Sequence, residues 1–378
     1  PKTIKIMNSA VKKCLSLIPR AIKKVSNEAL ILQQNPKEEQ IHGIRFNEKE
    51  YLILNPDVIQ MIRDGEFKNG KEHFLAKGHL EGRDTFIIHN FRKECFADKK
   101  INLKKIKEFK AENFPYSGPY PWLDREDYEE QIQKKLENGK ITEEQAELCR
   151  FWAKNGYLII KKGIPDELLD KVWEPYDKAI RSGEIETSTA NEKEGEMHPQ
   201  RSINPHNTIG EICEVMSHKK IMDTIAVLMD KEPTAFQSIA SHRGSEQLAH
   251  SDSVHMTTYP IGYLTAAWVA FEDIHPDCGP LFYYPGSHRL PYIFSSDVGI
   301  SRKEFLDVGY EAYNKKYEPK IQEVIEENKL EPLYLCAEKG DFLIWHANLI
   351  DGGSPRKNLK YSRHAMVFHY FVKGALCY

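Results

Sequence analysis

No run of the chain approaches the roughly 20 apolar residues that a membrane-spanning helix needs, and the N-terminal stretch lacks the apolar core of about 7–15 residues of a secretory signal. Neither an integral membrane protein nor an exported one is expected. Cysteine is sparse: the seven residues at 14, 95, 149, 213, 278, 336 and 377 are scattered, odd in number and without a C-x-x-C pair. That pattern fits reduced thiols rather than a disulfide framework, so a cytoplasmic setting is expected. An excess of one charge is missing too, with 53 Lys+Arg against 56 Asp+Glu and a formal net charge of -3. No bulk basic field exists to hold a nucleic-acid backbone, and nucleic acid is not an expected partner. What remains is a globular composition, 29% charged and 40% hydrophobic over 378 residues, enough for two or three domains and a sizeable core. The chain opens on Pro1 rather than Met, which leaves a start within a longer product open.

Four segments are expected. Residues 1–40 carry apolar Met7, Val11, Cys14, Leu15, Ile18, Ile22 and Val25 at helical spacing among Lys12, Lys13, Arg20, Lys23 and Lys24, with Pro19 as a kink or restart. Such a basic amphipathic helix suits an anionic membrane surface or a partner protein; a linker helix resting on its own protein is the simpler reading. Residues 41–90 read as short helices, with Asn47 and Glu50 as a capping box, Asn55 before Pro56 as a helix start, and Gly65 and Gly78 as helix ends. This stretch resembles a small helical module of bacterial surface-associated and glycan-related proteins, and the resemblance implies no catalysis. Residues 91–120, with Pro115, Gly118 and Pro119, read as a linker, and 121–378 as the main domain.

Within the main domain, helices are expected near 126–137, 142–155, 165–181 and 209–229, and a strand at 157–161. From 234 onward the pattern turns to short β-type runs at 235–241, 255–260, 264–271, 281–284, 341–350 and 361–372, interrupted by a helical insertion at about 301–329. Many short strands that do not alternate regularly with helices point to a mainly β fold with flanking helices. A double-stranded β-helix, or jelly roll, is preferred over a Rossmann sheet.

The candidate for chemistry is His250-Ser251-Asp252. Side chains two apart on an extended segment share a face, so the imidazole and the carboxylate point the same way, the pairing used by non-haem iron sites. The pattern alone is weak: composition yields about two H-x-[DE] matches, and the chain has three, beginning at His79, His250 and His275. His79 lies in the helical module and His275 in a turn, and both are read as structural.

Context separates the pair at 250. The segments GSEQLAHSDSVHMTTYPIGYLTAAWVAFEDIHPDCGPLFYYPGSH, GDFLIWHANLIDGGSP and YSRHAMVFHYF resemble the phytanoyl-CoA dioxygenase family of Fe(II)- and 2-oxoglutarate-dependent oxygenases, over about 121–378 and most firmly from 235. The resemblance implies His250 and Asp252 as iron ligands, Trp268 beside the 2-oxoglutarate pocket, and Arg363 as the clamp on the distal carboxylate of 2-oxoglutarate. A planar, permanently charged guanidinium suits that task. Arg363 also shares a strand face with Ala365, Val367 and His369, and the last of these fits the family pattern as well. Trp268 reads equally as a core residue. Gln247 reads as a contact to cosubstrate or substrate, or as a strand-end hydrogen bond. Pro285-Gly286-Ser287-His288 is a family hallmark with the chemistry of a tight turn. The insertion at 289–332 falls where the family varies, over the barrel mouth, so selectivity for a small-molecule or carrier-bound substrate is expected there.

One position departs from the family. Where its third ligand is a histidine, this chain reads Leu349-Ile350-Asp351-Gly352-Gly353. His346 lies five residues earlier, an odd separation that turns it to the opposite face of a regular strand. Either His250, Asp252 and Asp351 form a harder, more anionic metal site, or the chain is a degenerate member that binds a ligand without turnover, or the site has been retuned. Halogenating relatives lose the carboxylate of the H-x-D pair; Asp252 is present, which gives no support for halogenation.

Overall fold

The computed structural model describes residues 120–377 and, with short gaps, 39–83. The basic helix expected in 1–40 and the linker expected at 91–120 lie almost wholly outside the described residues. The chain divides into two compact units between Phe91 and Arg92.

In the first unit an antiparallel hairpin, β1 (Glu39–Ile41) and β2 (Ile44–Phe46), precedes the helices α1 (Pro56–Arg63) and α2 (Gly70–His73). Pro56 begins α1 as expected, but the Asn55 amide turns back to donate to the Tyr51 carbonyl at 2.8 Å instead of capping the helix. The start of α2 is held by Glu48, whose carboxylate accepts from the Gly70 and Lys71 amides at 2.6 and 2.8 Å. Phe46, Tyr51, Leu52, Val58 and Phe74 form the core. His79 donates from Nδ1 to the Phe74 carbonyl at 2.9 Å, a structural role.

The second unit begins with α3 (Tyr128–Glu137) and α4 (Glu143–Asn155). Thr142 and Gln145 close the capping box read from the sequence, and Gly156, at φ +77°, ends α4 in the left-handed conformation glycine adopts without penalty. Then follow β3 (Tyr157–Ile160), α5 (Asp166–Ser182), β4 (Ser202–Ile203), α6 (Ile212–Met216), α7 (Lys219–Met229) and β5 (Pro233–Ser241). The remaining elements are β6 (Thr258–Tyr259), β7 (Leu264–Ala270), β8 (Leu281–Tyr283), α8 (Arg302–Val308), α9 (Tyr310–Glu327), β9 (Leu333–Tyr334), β10 (Phe342–His346), β11 (Asp351–Gly353), β12 (Ala365–Val372) and β13 (Leu376–Cys377).

Six strands pair antiparallel in the order β3-β10-β7-β12-β5-β4, and three more in the order β11-β8-β9. Strand periodicity explains how the large sheet serves two cores. Ala267, Val269, Phe342, Ile344, Met366 and Phe368 face a core shared with α3, α4, α5 and α7, whereas Ala266, Trp268, Leu343, Trp345 and Ala365 pack toward Leu281 and Tyr283 of the small sheet. The two sheets thus enclose a second core, and the cleft discussed below opens from it.

Two expectations need correction. The fold mixes helix and sheet more evenly than a mainly β reading implies, because the covering helices are longer than the strands they cover. The strand expected at 255–260 shrinks to β6, since Asp252–Val254 turn into a 3-10 helix after Ser251. No helix among the described residues is long and apolar enough to cross a membrane.

Candidate metal centre

His250 and Asp351 are brought together by backbone. A single antiparallel bridge links them: the His250 amide donates to the Asp351 carbonyl at 2.9 Å and the Asp351 amide to the His250 carbonyl at 2.8 Å. Ser287, in the expected tight turn, supports the same strand by accepting from the Ile350 amide at 2.8 Å. The Gly-Gly pair after Asp351 admits the neighbouring loop. A Cβ at Gly352 would meet the Gln247 carbonyl at 2.8 Å, and one at Gly353 the Glu246 amide nitrogen at 2.9 Å.

Ligand atoms of His250, Asp252 and Asp351 all lie within 4.8 Å of one another. The His250 Nδ1 lies 2.9 Å from the Leu248 carbonyl, which fixes Nδ1 as the protonated nitrogen and leaves Nε2 a lone pair for the cleft. Nε2 is 3.9 Å from Asp252 Oδ1 and 3.1 Å from the Gln247 amide nitrogen. The other Asp252 oxygen, Oδ2, accepts from the Trp345 indole at 2.9 Å and is 3.6 Å from His369 Nε2. Ser251 between the ligands is held from α9, with its amide donating to the Tyr317 hydroxyl at 3.2 Å.

The electrostatics suit a divalent cation. Burial lowers the His250 pKa, which favours the neutral imidazole a metal requires. Burial alone would raise the Asp252 carboxyl, but the neighbouring imidazoles, His369 first, hold it below the usual carboxylate range. Asp351 goes the other way: burial, then the Asp252 charge, push it well above that range, and its buried Oδ2 has no hydrogen-bond partner. Two carboxylates this close cannot both ionise cheaply unless a cation lies between them. One imidazole and two carboxylates form a donor set accepted by Fe(II), Mn(II) or Mg(II).

The six residues singled out in the sequence, Gln247, His250, Asp252, Trp268, Asp351 and Arg363, line one cleft, together with Val367 and His369. Arg363 is 5% exposed, its Nη1 donates to the Gly279 carbonyl at 3.0 Å, and its Nε has no partner. No carboxylate pairs with it among the described residues, and burial pushes its pKa down to about 10. Trp268 is 1% exposed in the inter-sheet core and also lines the cleft. Gln247 spans His250 and Arg201, whose Nη1 approaches its Oε1 at 3.4 Å.

His346 faces away, as its parity suggested: its Nε2 lies 3.1 Å from Asp124 Oδ2, and its ring lies near Trp152 and His288. The reason differs from the one read in the sequence. His346 ends β10 in the large sheet, while Asp351 starts β11 in the small one, and the chain crosses between sheets in the turn joining them. His275 stacks on Tyr361 at 3.6 Å, outside the cleft. Sequence reading missed Trp345 and Arg201. The first was detectable, because it has the opposite parity to His346; the second lies in a polar stretch with no pattern to mark it.

The family model for phytanoyl-CoA dioxygenase (PhyH) matches residues 152–365. Peroxisomal phytanoyl-CoA dioxygenase of Homo sapiens is 25% identical over 266 residues, covering 64% of this chain and 71% of the relative. Its Mus musculus counterpart is 23% identical over 272 residues, covering 66% and 73%. Among solved structures, the non-heme alpha ketoglutarate dependent carbocyclase SnoK from nogalamycin biosynthesis aligns with a TM-score of 0.46 at 15% identity, covering 62% of this chain and 85% of that one. The family match takes in more than half of the chain and every residue that lends a ligand atom to the three-residue cluster. The chain belongs to the phytanoyl-CoA dioxygenase family.

Proposed function

We propose that this chain is an Fe(II)- and 2-oxoglutarate-dependent oxygenase that hydroxylates a small or carrier-bound organic substrate, with residues 121–378 as its catalytic domain. The observation that carries this reading is the meeting of His250, Asp252 and Asp351 with the buried, acid-free guanidinium of Arg363 in one cleft. Bound iron and 2-oxoglutarate would supply the oxidising chemistry, in which decarboxylation of the cosubstrate to succinate accompanies transfer of one oxygen atom of O2 to a substrate carbon.

His250 offers Nε2, Asp252 offers Oδ1, and Asp351 offers its unpartnered Oδ2. Three protein ligands leave positions open for cosubstrate and oxygen. Arg363, with Nε unpartnered and its plane held by the bond to the Gly279 carbonyl, would hold the distal carboxylate of 2-oxoglutarate. Trp268 and Val367 wall the cosubstrate against water.

A second reading follows from Asp351. The extra carboxylate opposes a dianionic cosubstrate, so a member of this family that binds ligand without turnover is the alternative. One experiment separates the two. Fe(II) is titrated anaerobically into protein with 2-oxoglutarate while the visible charge-transfer band of the chelate is followed; oxygen is then admitted and succinate measured. A band followed by succinate supports the oxygenase, a band without succinate supports the binding protein, and no band in folded protein overturns cosubstrate chelation.

A further inference from the structure

Asp252 is held by two different environments at its two oxygens. Oδ1 faces His250, whereas Oδ2 accepts the Trp345 indole N–H at 2.9 Å and has His369 Nε2 at 3.6 Å. Trp345 is 3% exposed near the end of β10, paired to β3 on one side and β7 on the other, so its indole has little freedom to move. An indole N–H donates in one direction and carries no charge. It can therefore fix the orientation of a carboxylate without competing for the metal.

That fixation matters more here than in a site with a single carboxylate. The ligand oxygens of Asp252 and Asp351 lie within 4.8 Å of each other in a largely buried site, and like charges this close repel. A free Asp252 side chain would rotate away from Asp351 or turn both oxygens toward the cation. With Oδ2 engaged by Trp345, only Oδ1 is left to the point shared by His250 and Asp351. We infer that Trp345 is a positioning residue that holds Asp252 as a one-oxygen ligand and thereby allows a second carboxylate at 351. This rests on the metal-binding reading given above.

The test uses the full chain with Mn(II) alone as probe, by equilibrium dialysis and by the electron paramagnetic resonance signal of bound Mn(II). Trp345→Phe keeps a ring in β10 and removes the N–H; Trp345→His keeps an N–H donor. Loss of an outer partner of a ligand commonly costs tenfold to a hundredfold in metal affinity. The Phe variant is therefore expected to bind Mn(II) at least about tenfold more weakly, with an altered resonance line shape, and the His variant to recover most of the loss. Equal affinity in wild type and Trp345→Phe overturns the inference, and so does equal weakening in both variants, which would assign the effect to ring volume. A wild type that binds no Mn(II) overturns the metal-binding reading and this inference with it, an outcome distinct from either of the others. If Trp345→Phe fails to fold, the wild type still decides. Among the five tryptophan indole N–H resonances of 15N-labelled protein, one protected from hydrogen exchange is expected to shift on adding Zn(II). Five unmoved resonances overturn the inference.

Discussion

His250 and Asp351 exchange both backbone hydrogen bonds across a single bridge, at 2.9 and 2.8 Å, although a hundred residues of chain separate them. Their carbonyl and amide groups thus fix the spacing of two side chains whose charges alone would not hold them together. The bridge extends the small sheet by one residue beside β11, and its geometry does not depend on which side chain stands at 351.

For that reason Asp351→His is expected to fold as the parent does. If position 351 is at the metal, exchanging a repelled carboxyl for an imidazole strengthens Fe(II) binding, by about tenfold, and raises succinate formation. Dialysis against Fe(II) under nitrogen and a succinate assay check this; unchanged affinity and turnover would place 351 away from the metal.

Arg363→Ala removes the buried guanidinium assigned to the cosubstrate. A hydrogen bond to a charged group contributes roughly 1.5–3 kcal/mol, so the 2-oxoglutarate dissociation constant is expected to rise at least about tenfold while Mn(II) binding without cosubstrate changes little. Calorimetric titration of each ligand distinguishes the two, and an unaltered 2-oxoglutarate constant would remove Arg363 from that role.

Glu196 fastens the polar stretch before β4 to the barrel. Its carboxylate, 7% exposed, pairs with both Arg243 and Arg356. Burial alone would raise its pKa, but the two guanidinium groups hold it below the usual range. Glu196→Gln leaves buried Arg243 without its carboxylate and Arg356 with Glu246 alone, and is expected to destabilise the protein by about 3 kcal/mol. Urea unfolding measures the loss, and hydrogen exchange should quicken first in 188–201.

Asp341 gives a pH prediction away from the metal. Burial would raise its carboxyl, yet it accepts from Lys161 Nζ at 2.7 Å and from the Lys162 and Glu338 amides at 2.9 and 3.0 Å, and these bonds hold it below the usual range. A depressed folded-state pKa means the unfolded chain binds more protons at mild acidity. The stability is then fully present above the unfolded value, about 3.9, and is lost as pH falls through the folded one. Asp341→Asn should be less stable near neutrality and lose less on acidification, and thermal melts from pH 6 to 3 would show the two curves converging.

Much of this was legible in the order of residues. Capping at Thr142 and Gln145, the glycine stop at 156 and the alternation of Arg363, Val367 and His369 are local, set by backbone hydrogen bonds and by the two-residue repeat of a strand. The departure at Asp351 was visible for the same reason, because a motif with fixed spacing shows an exchanged residue at once.

Other features depend on contacts that no local pattern encodes. The sequence places His346 and Asp351 five residues apart, but only the crossing between sheets puts one against Asp124 and Trp152 and the other against His250. Likewise Trp345 reads as one more apolar strand residue until Asp252, 93 positions earlier, is found on its indole nitrogen. Local order marks the family, most of the elements, and His250, Asp252, Asp351 and Arg363; the packing of distant segments sets their environments and adds Trp345. Burial and the charge of a distant neighbour, rather than residue type, make Asp252 and Asp351 unlike carboxylates.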